Sequence, residues 1–128
     1  MNPVVHFEMP AKDRDRMTTF YTKTFGWKAH AYGPDMGNYT VVQTGETDEN
    51  GMAKRPGFIN GGFFPIMKDS KVPMVVIAVD DIKKHVELVK KAGGKILKES
   101  MDIPGIGSYV NFTDTEGNKV AMLQPLMK

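Results

Sequence analysis

The sequence has no cysteine among its 128 residues. A chain without thiols forms no disulfide, no thiolate zinc site and no cysteine nucleophile. It also has no glycine-rich phosphate loop and no serine in a nucleophile-elbow context. These absences exclude several common classes of catalytic site.

Charge and hydropathy argue against two further kinds of partner. The net charge is +2 and the basic residues are scattered, so neither a basic stripe nor a nucleic-acid partner is expected. No apolar run approaches the roughly 20 residues of a membrane span. The first residues lack the basic and apolar regions of a signal peptide, and we therefore expect a cytoplasmic protein with no membrane partner.

The two halves of the sequence repeat one pattern of elements. An extended apolar run is followed by an aspartate, by apolar residues spaced three and four apart, and by a glycine, first over residues 4–26 and again over residues 74–94. Asp13 and Asp81 are typical helix N-caps, and the glycines are typical helix C-terminal signals. Each half therefore begins with a strand and a capped helix.

Turn residues divide the rest of each half into three more strands. The predicted strands are Trp27–Tyr32, Tyr39–Thr44 and Phe58–Phe64, then Lys95–Ser100, Ser108–Thr113 and Lys119–Gln124. Gly45–Gly57 is predicted to be a long loop and Pro65–Pro73 a linker. The chain is thus predicted to be one α+β domain, residues 1–128, with βαβββ modules over 1–66 and 72–128. Two such sheets facing each other would enclose a pocket.

The first strand carries two polar side chains on one face. Because side chains alternate along a strand, His6 and Glu8 point one way while Phe7 and Met9 point the other. Four interpretations stay open. The pair could be structural, could orient a ligand, could act as a metal-free acid and base, or could bind a metal with help from Asn60 or water.

Two further features of the sequence bear on the site. His30 and His85 are weaker candidates than His6, since His85 lies beside the apolar stripe of the second helix. The pair Gly61–Gly62 inside a strand predicts either a close backbone approach or a bulge.

Several motifs together carry a family resemblance. The spacing His6…Asp13…Phe20-Tyr21…Phe25-Gly26-Trp27, together with Asp114-Thr115-Glu116-Gly117-Asn118, resembles the vicinal oxygen chelate superfamily of glyoxalases, bleomycin-resistance proteins and extradiol dioxygenases. The chain is most similar to a glyoxalase-related subgroup that lacks most metal ligands. The resemblance implies that the two βαβββ modules form an open half-barrel, often in a homodimer.

The resemblance also implies where a metal would bind. In metal-dependent members the ligands come from the first and last strands of each module, and these positions fall on His6, Met74, Ala121 and a residue within 60–62. Of the three assigned positions only His6 can bind a divalent ion well, whereas catalytic sites use about three protein ligands. We therefore expect no cofactor, and a divalent metal is the disfavoured alternative.

We predict that the protein binds a small organic molecule in the half-barrel cleft without a catalytic metal. His6 and Glu8 are the candidate catalytic residues. The candidate ligand-binding residues are Met74, Val76, Asn60, Tyr39, Tyr109, Asn111 and Ala121. The alternative is a glyoxalase-type lyase or isomerase that acts on a carbonyl compound, with His6 and Glu8 as an acid/base pair or partial metal site. A third possibility is a purely structural role, and a homodimer is expected.

Overall fold

The computed structural model describes residues 1–126 and divides into two units. The first unit contains residues 6–73, and the second contains residues 1–5 and the chain from residue 74 onward. The elements in chain order are β1 Val4–Ala11, α1 Arg14–Phe25, β2 Lys28–Ala31, β3 Thr40–Gln43, β4 Asn60–Pro65, β5 Met74–Ala78, α2 Ile82–Lys91, β6 Lys95–Ile96, β7 Met101–Ile103, β8 Gly107–Thr113 and β9 Lys119–Pro125.

Both helices begin at the predicted aspartates. The Oδ1 atom of Asp13 accepts a hydrogen bond from the backbone N–H of Arg16 at 3.0 Å, and Asp81 accepts one from Lys84 at 3.1 Å. Each carboxylate thereby satisfies a backbone donor that the first turn of its helix leaves without a partner. Helix α1 ends at Gly26, whose φ of 73° is the left-handed conformation that glycine adopts without strain.

The sheet of the first unit has the strand order β2-β3-β4-β1. Strands β1 and β4 are parallel, and the other two pairs are antiparallel. One face packs on α1 and forms a core around Ala11, Val42 and Phe63. The residues packed against that core are Phe7, Met9, Met17, Tyr21 and Trp27. Helix α1 thus covers one sheet face through its aromatic and methionine side chains.

The sheet of the second unit has the strand order β5-β9-β8-β6. Strands β5 and β9 are parallel, as β1 and β4 are in the first unit. The core lies between this sheet and α2, where Val79, Ile82, Val110 and Met122 are buried. The predicted α+β class and the βαβββ order of each half are confirmed, with one additional short strand.

That additional strand corrects the prediction of a single strand over Lys95–Ser100. Strand β6 ends at Ile96, and a separate strand, β7, begins at Met101 and pairs with β8. The turn between β7 and β8 contains Pro104 and Gly105, and Gly105 has a φ of 78°. This proline–glycine turn closes a tight hairpin, so the residues before it form the hairpin's first arm.

Three other features bear on the sequence predictions. Residues 45–57 contain no strand, as predicted, although Thr47 and Ala53 form an isolated bridge. Within residues 1–126 neither helix is long and apolar enough to cross a membrane. The single domain with modules over 1–66 and 72–128 stays a prediction.

The hydroxyl of Thr40 generates a prediction about stability. Thr40 is fully buried on β3, and its Oγ1 atom has no hydrogen-bond partner in the described residues. A buried unpaired polar group costs free energy that a methyl group does not. We expect Thr40→Val to raise the free energy of unfolding by about 1 kcal/mol in urea denaturation.

The same substitution at Thr44, whose hydroxyl has a hydrogen-bond partner, is the control for Thr40→Val. The Oγ1 atom of Thr44 donates a hydrogen bond to the carbonyl oxygen of Ile59 at 2.6 Å. We expect Thr44→Val to lower the free energy of unfolding by about 1 kcal/mol because that bond is lost. A loss of stability in both variants would contradict the assignment of Thr40 as an unpaired group.

Candidate functional site

The pleat of β1 separates its polar and apolar side chains. Phe7 and Met9 pack on the core that α1 covers. Because neighbouring residues of a strand point to opposite faces, His6 and Glu8 lie on the other face of the sheet. The structure thus places the two candidate catalytic residues on one face, as the alternation predicts.

Tyr39 joins His6 on this face. The Nε2 atom of His6 lies 2.9 Å from the hydroxyl oxygen of Tyr39, and the bond is partly buried. The two rings are near parallel, with an interplanar angle of 19° and centroids 6.5 Å apart. Their 33-residue separation explains why the sequence indicates both residues but not the bond between them.

Two glycines of β4 make room for aromatic rings on opposite faces. A Cβ atom added to Gly61 would lie 2.5 Å from the ring of Phe7, and one added to Gly62 would overlap the phenol of Tyr39. Both glycines are buried. The groups that approach the glycine pair closely are therefore two aromatic rings, one on each side of the strand, rather than another backbone segment, and the β1–β4 register passes through the pair without a bulge.

Burial controls the charge of His6. Desolvation lowers the pKa of the imidazole from 6.5 to about 4. The ring is therefore neutral at pH 7, with one nitrogen that donates and one that accepts a hydrogen bond. Such a ring can take part in hydrogen bonds as donor and as acceptor without carrying a charge.

Glu8 and Asn60 both interact within the protein. Glu8 is 8% exposed and has a partner in the chain. Asn60 lies beside His6 in the β1–β4 register, but its amide is used at the base of the loop over residues 45–57. Its Oδ1 accepts from the N–H of Thr44 at 3.0 Å, and its Nδ2 donates to Oγ1 of Thr47 at 3.1 Å. The sequence does not indicate these two threonine partners.

The candidate residues of the second unit form a group of their own. The Nδ2 atom of Asn111 donates to the hydroxyl of Tyr109 at 3.3 Å and lies 3.7 Å from the sulfur of Met74. Val76 and Ala121 are 2% and 0% exposed. Their side chains therefore offer almost no surface to a ligand in this conformation, and their role as ligand contacts stays a prediction.

Equivalent positions in the two units follow from the strand registers. The two N-cap aspartates are 68 residues apart, and the same offset relates Glu8 to Val76. Glu8 pairs with Gly62 across the parallel strands of the first unit, and Val76 pairs with Ala121 in the second. Gly62 is therefore the first-unit equivalent of Ala121.

With this equivalence, the resemblance to the superfamily implies four metal-ligand positions, and Gly62 is the one within residues 60–62. They carry His6, Gly62, Met74 and Ala121, of which only the imidazole can ligate a divalent ion well. In residues 1–126 no group of three or more histidine, aspartate or glutamate side chains is arranged to hold a metal. The residues present do not fit a tightly bound divalent ion, and the metal-free assignment stays a prediction.

Two surface cavities lie away from these residues. A cavity of about 610 Å³ lies between α2 and residues 96–100, over an apolar floor that includes Ile82 and Val86. A cavity of about 390 Å³ in the first unit has Lys28 and Lys54 among its lining residues. None of the candidate residues lines either cavity.

The family follows from a match that covers most of the chain. The family profile described as Glyoxalase/Bleomycin resistance protein/Dioxygenase superfamily matches residues 4–122. The chain therefore belongs to this superfamily, and the resemblance inferred from its motifs is confirmed.

Several curated proteins are similar to this chain. A glyoxylase-like domain-containing protein of Didymella fabae is 33% identical over 120 residues, which cover 90% of this chain and 88% of that protein. Lactoylglutathione lyase of Oryza sativa subsp. japonica is 30% identical over 94% of this chain. The match covers 44% of the rice protein, so this chain spans less than half of that relative. A probable lactoylglutathione lyase of Vibrio cholerae is 25% identical, over 94% of this chain and 89% of that protein.

Solved structures share the fold at low sequence identity. Methylmalonyl-CoA epimerase of Streptomyces coelicolor has a TM-score of 0.71 at 15% identity, with 97% of each chain covered. A glyoxalase/bleomycin resistance protein/dioxygenase superfamily member from Vibrio splendidus 12B01 has a TM-score of 0.63 at 14% identity, covering 98% of this chain and 100% of that one. At these identities the similarity establishes the fold alone.

The lowered pKa of His6 predicts acid sensitivity. Since the unfolded chain binds more protons than the folded chain between pH 6.5 and about 4, stability falls as the pH falls through this window. This loss of unfolding free energy is complete below pH 4. At about 1.4 kcal/mol per pKa unit it amounts to at most about 3 kcal/mol, because the ring is partly exposed and solvent screens its charge. We expect His6→Gln to lose less stability than the wild type between pH 7 and pH 4 in urea denaturation.

His85→Gln is the matched control for this measurement. His85 lies on α2, with its Nδ1 atom 3.2 Å from the carbonyl oxygen of Asp81. This variant is expected to keep the wild-type dependence on pH. An equal dependence in His6→Gln and the wild type would rule out His6 as the source.

Proposed function

We propose that the protein binds a small organic molecule at the face of the first unit that carries His6, Tyr39 and Glu8, without a catalytic metal. The supporting observation is the partly buried hydrogen bond between His6 and Tyr39. Ligand sites typically combine apolar surface with a few fixed polar groups, and this bond fixes two of them. The superfamily assignment is consistent with a small-molecule ligand.

The charge state of His6 favours binding over catalysis. A neutral imidazole and a phenol can both donate and accept hydrogen bonds, so the pair can orient a polar group of a ligand. A general base works best with a pKa near the operating pH, and a pKa of about 4 is far from neutrality. We therefore place His6 as an orienting residue.

The group formed by Met74, Tyr109 and Asn111 is proposed as a ligand contact of the second unit. The thioether is polarisable and adapts to apolar surfaces, while the amide and hydroxyl supply hydrogen bonds. Such a group suits an aromatic or amphipathic molecule. A homodimer is proposed as the assembly.

The second candidate function is that of a glyoxalase-type lyase or isomerase acting on a carbonyl compound. Two of the similar proteins are named as a lactoylglutathione lyase and a probable lactoylglutathione lyase, which favours this candidate. His6 would then act as the acid or base, with Glu8 beside it on the same strand face. Activity that survives His6→Ala in a folded variant would remove this candidate.

Binding is tested by thermal shift and calorimetry with a panel of aromatic and amphipathic compounds that includes lactoylglutathione. We expect at least one class to raise the melting temperature of the wild type. His6→Ala and Tyr39→Phe should each weaken its binding by about tenfold or more, or roughly 1.4 kcal/mol. His85→Ala is the control and should bind as the wild type does. A panel without effect, or equal binding by all variants, would contradict the proposal.

Liquid chromatography with mass detection of lactoylglutathione incubated with the protein separates binding from catalysis, since it resolves isomers as well as cleavage products. Binding without turnover supports the first function, whereas turnover that depends on His6 supports the second.

Metal use is tested on protein purified without chelators. We expect elemental analysis to find far less than one divalent ion per chain, because only one of the four family ligand positions carries a suitable donor. A stoichiometric ion that His6→Ala removes would contradict the metal-free assignment.

A further inference from the structure

We propose that Gly62 is a positioning residue of the His6 site. Because Gly62 has no side chain, the phenol of Tyr39 can lie directly against β4, and in that position its hydroxyl reaches the imidazole. The functional meaning of this contact rests on the proposed ligand site. The structural part of the inference rests on the packing of the first unit alone.

The strand order shows why the ring must cross Gly62. Strand β4 lies between β3 and β1, and Gly62 pairs with Val41 on one side and with Glu8 on the other. Tyr39 lies two residues before Val41, whereas His6 lies on β1. Neighbouring strands are about 4.8 Å apart, so a side chain just before β3 and one on β1 must bridge about 10 Å. The tyrosine spans this distance by lying over the strand between them.

The second unit shows that the fold itself accepts a side chain at this position. Asn111 pairs with Ala121 in the second unit, as Val41 pairs with Gly62 in the first. Ala121 is 0% exposed, so a buried Cβ is accommodated at the equivalent point of the same strand arrangement. Glycine is therefore needed at position 62 to make room for the ring of Tyr39, and not because the backbone of the strand excludes a Cβ.

Tyrosines occupy equivalent positions in the two units. Tyr39 lies two residues before the partner of Gly62, and Tyr109 lies two residues before the partner of Ala121. In the second unit the hydroxyl bonds an amide, that of Asn111, and the position equivalent to His6 carries a methionine. The imidazole–phenol contact thus belongs to the first unit, in which the glycine is present.

A side chain at position 62 would remove the hydrogen bond between Tyr39 and the imidazole of His6. A Cβ there overlaps the phenol, so the ring of Tyr39 must move away from its place over β4. The contact at Nε2 of His6 is then lost, and with it a hydrogen bond that biases which ring nitrogen carries the proton. Gly62 thus acts on His6 through Tyr39, whose ring atoms are the nearest to the added Cβ.

The test uses the ring nitrogen chemical shifts of His6 at pH 7. We expect the wild type to show one dominant neutral tautomer. Gly62→Ala and Tyr39→Phe should both shift the nitrogen signals, since both lose the phenol contact. Unchanged signals in folded Gly62→Ala would overturn the proposal.

Gly61→Ala is the matched control. It is the same substitution on the same strand, but its Cβ meets the ring of Phe7, which packs on the face that α1 covers. We expect this variant to lose stability. Because the ring centroids of Phe7 and His6 are 6.4 Å apart, a small shift of the His6 nitrogen signals is expected, well below that in Gly62→Ala. Equal changes in Gly61→Ala and Gly62→Ala would mean that any damage to β4 disturbs the imidazole, and the proposal would fail.

A stability cycle covers the case in which Gly62→Ala alone does not fold. Gly62→Ala should lower the melting temperature strongly when Tyr39 is present and only slightly in a Tyr39→Ala background, because the overlapping ring is then absent. An equal loss in both backgrounds would overturn the proposal.

Ligand affinity separates this inference from the proposed function. Altered nitrogen signals together with weaker binding in Gly62→Ala support both. Altered signals with unchanged binding support the positioning role and contradict the ligand site. Unchanged signals contradict the positioning role whatever the binding result.

Discussion

The alternation of side chains on β1 and β4 is the constraint on which the first unit depends. It directs Phe7 and Met9 into the core that α1 covers, and it leaves His6 and Glu8 on the opposite face. A shift of one residue in the register would bury the polar pair in the core and expose the apolar one. The same constraint that stabilises the unit therefore also builds its candidate site.

The chemistry of the site follows from partial burial rather than from an array of charges. Burial lowers the pKa of His6 to about 4, so the imidazole is neutral and its hydrogen bond with Tyr39 joins two uncharged groups. Such a pair can recognise a polar atom of a ligand without the cost of removing a full charge from water.

The two units show how a duplicated fold can diverge in chemistry. Equivalent tyrosines remain in both, but an imidazole in the first unit corresponds to a thioether in the second. The ligand positions that the resemblance implies fall on His6, Gly62, Met74 and Ala121, a set with one good donor for a divalent ion. The chain belongs to the glyoxalase superfamily, and of these positions Gly62 takes part in the packing of the Tyr39 ring.

The sequence by itself determined the order of the elements, because caps and apolar spacing are local signals. Asp13 and Asp81 cap their helices as their positions predict, and His6 and Glu8 share a face because alternation is a property of any strand. Only the tertiary structure decided that Tyr39 meets His6 across Gly62, since that contact depends on strand pairing between distant residues. It also separated β7 from β6, because the pairing of β7 with β8, closed by a tight turn, formed a strand that the local pattern did not distinguish.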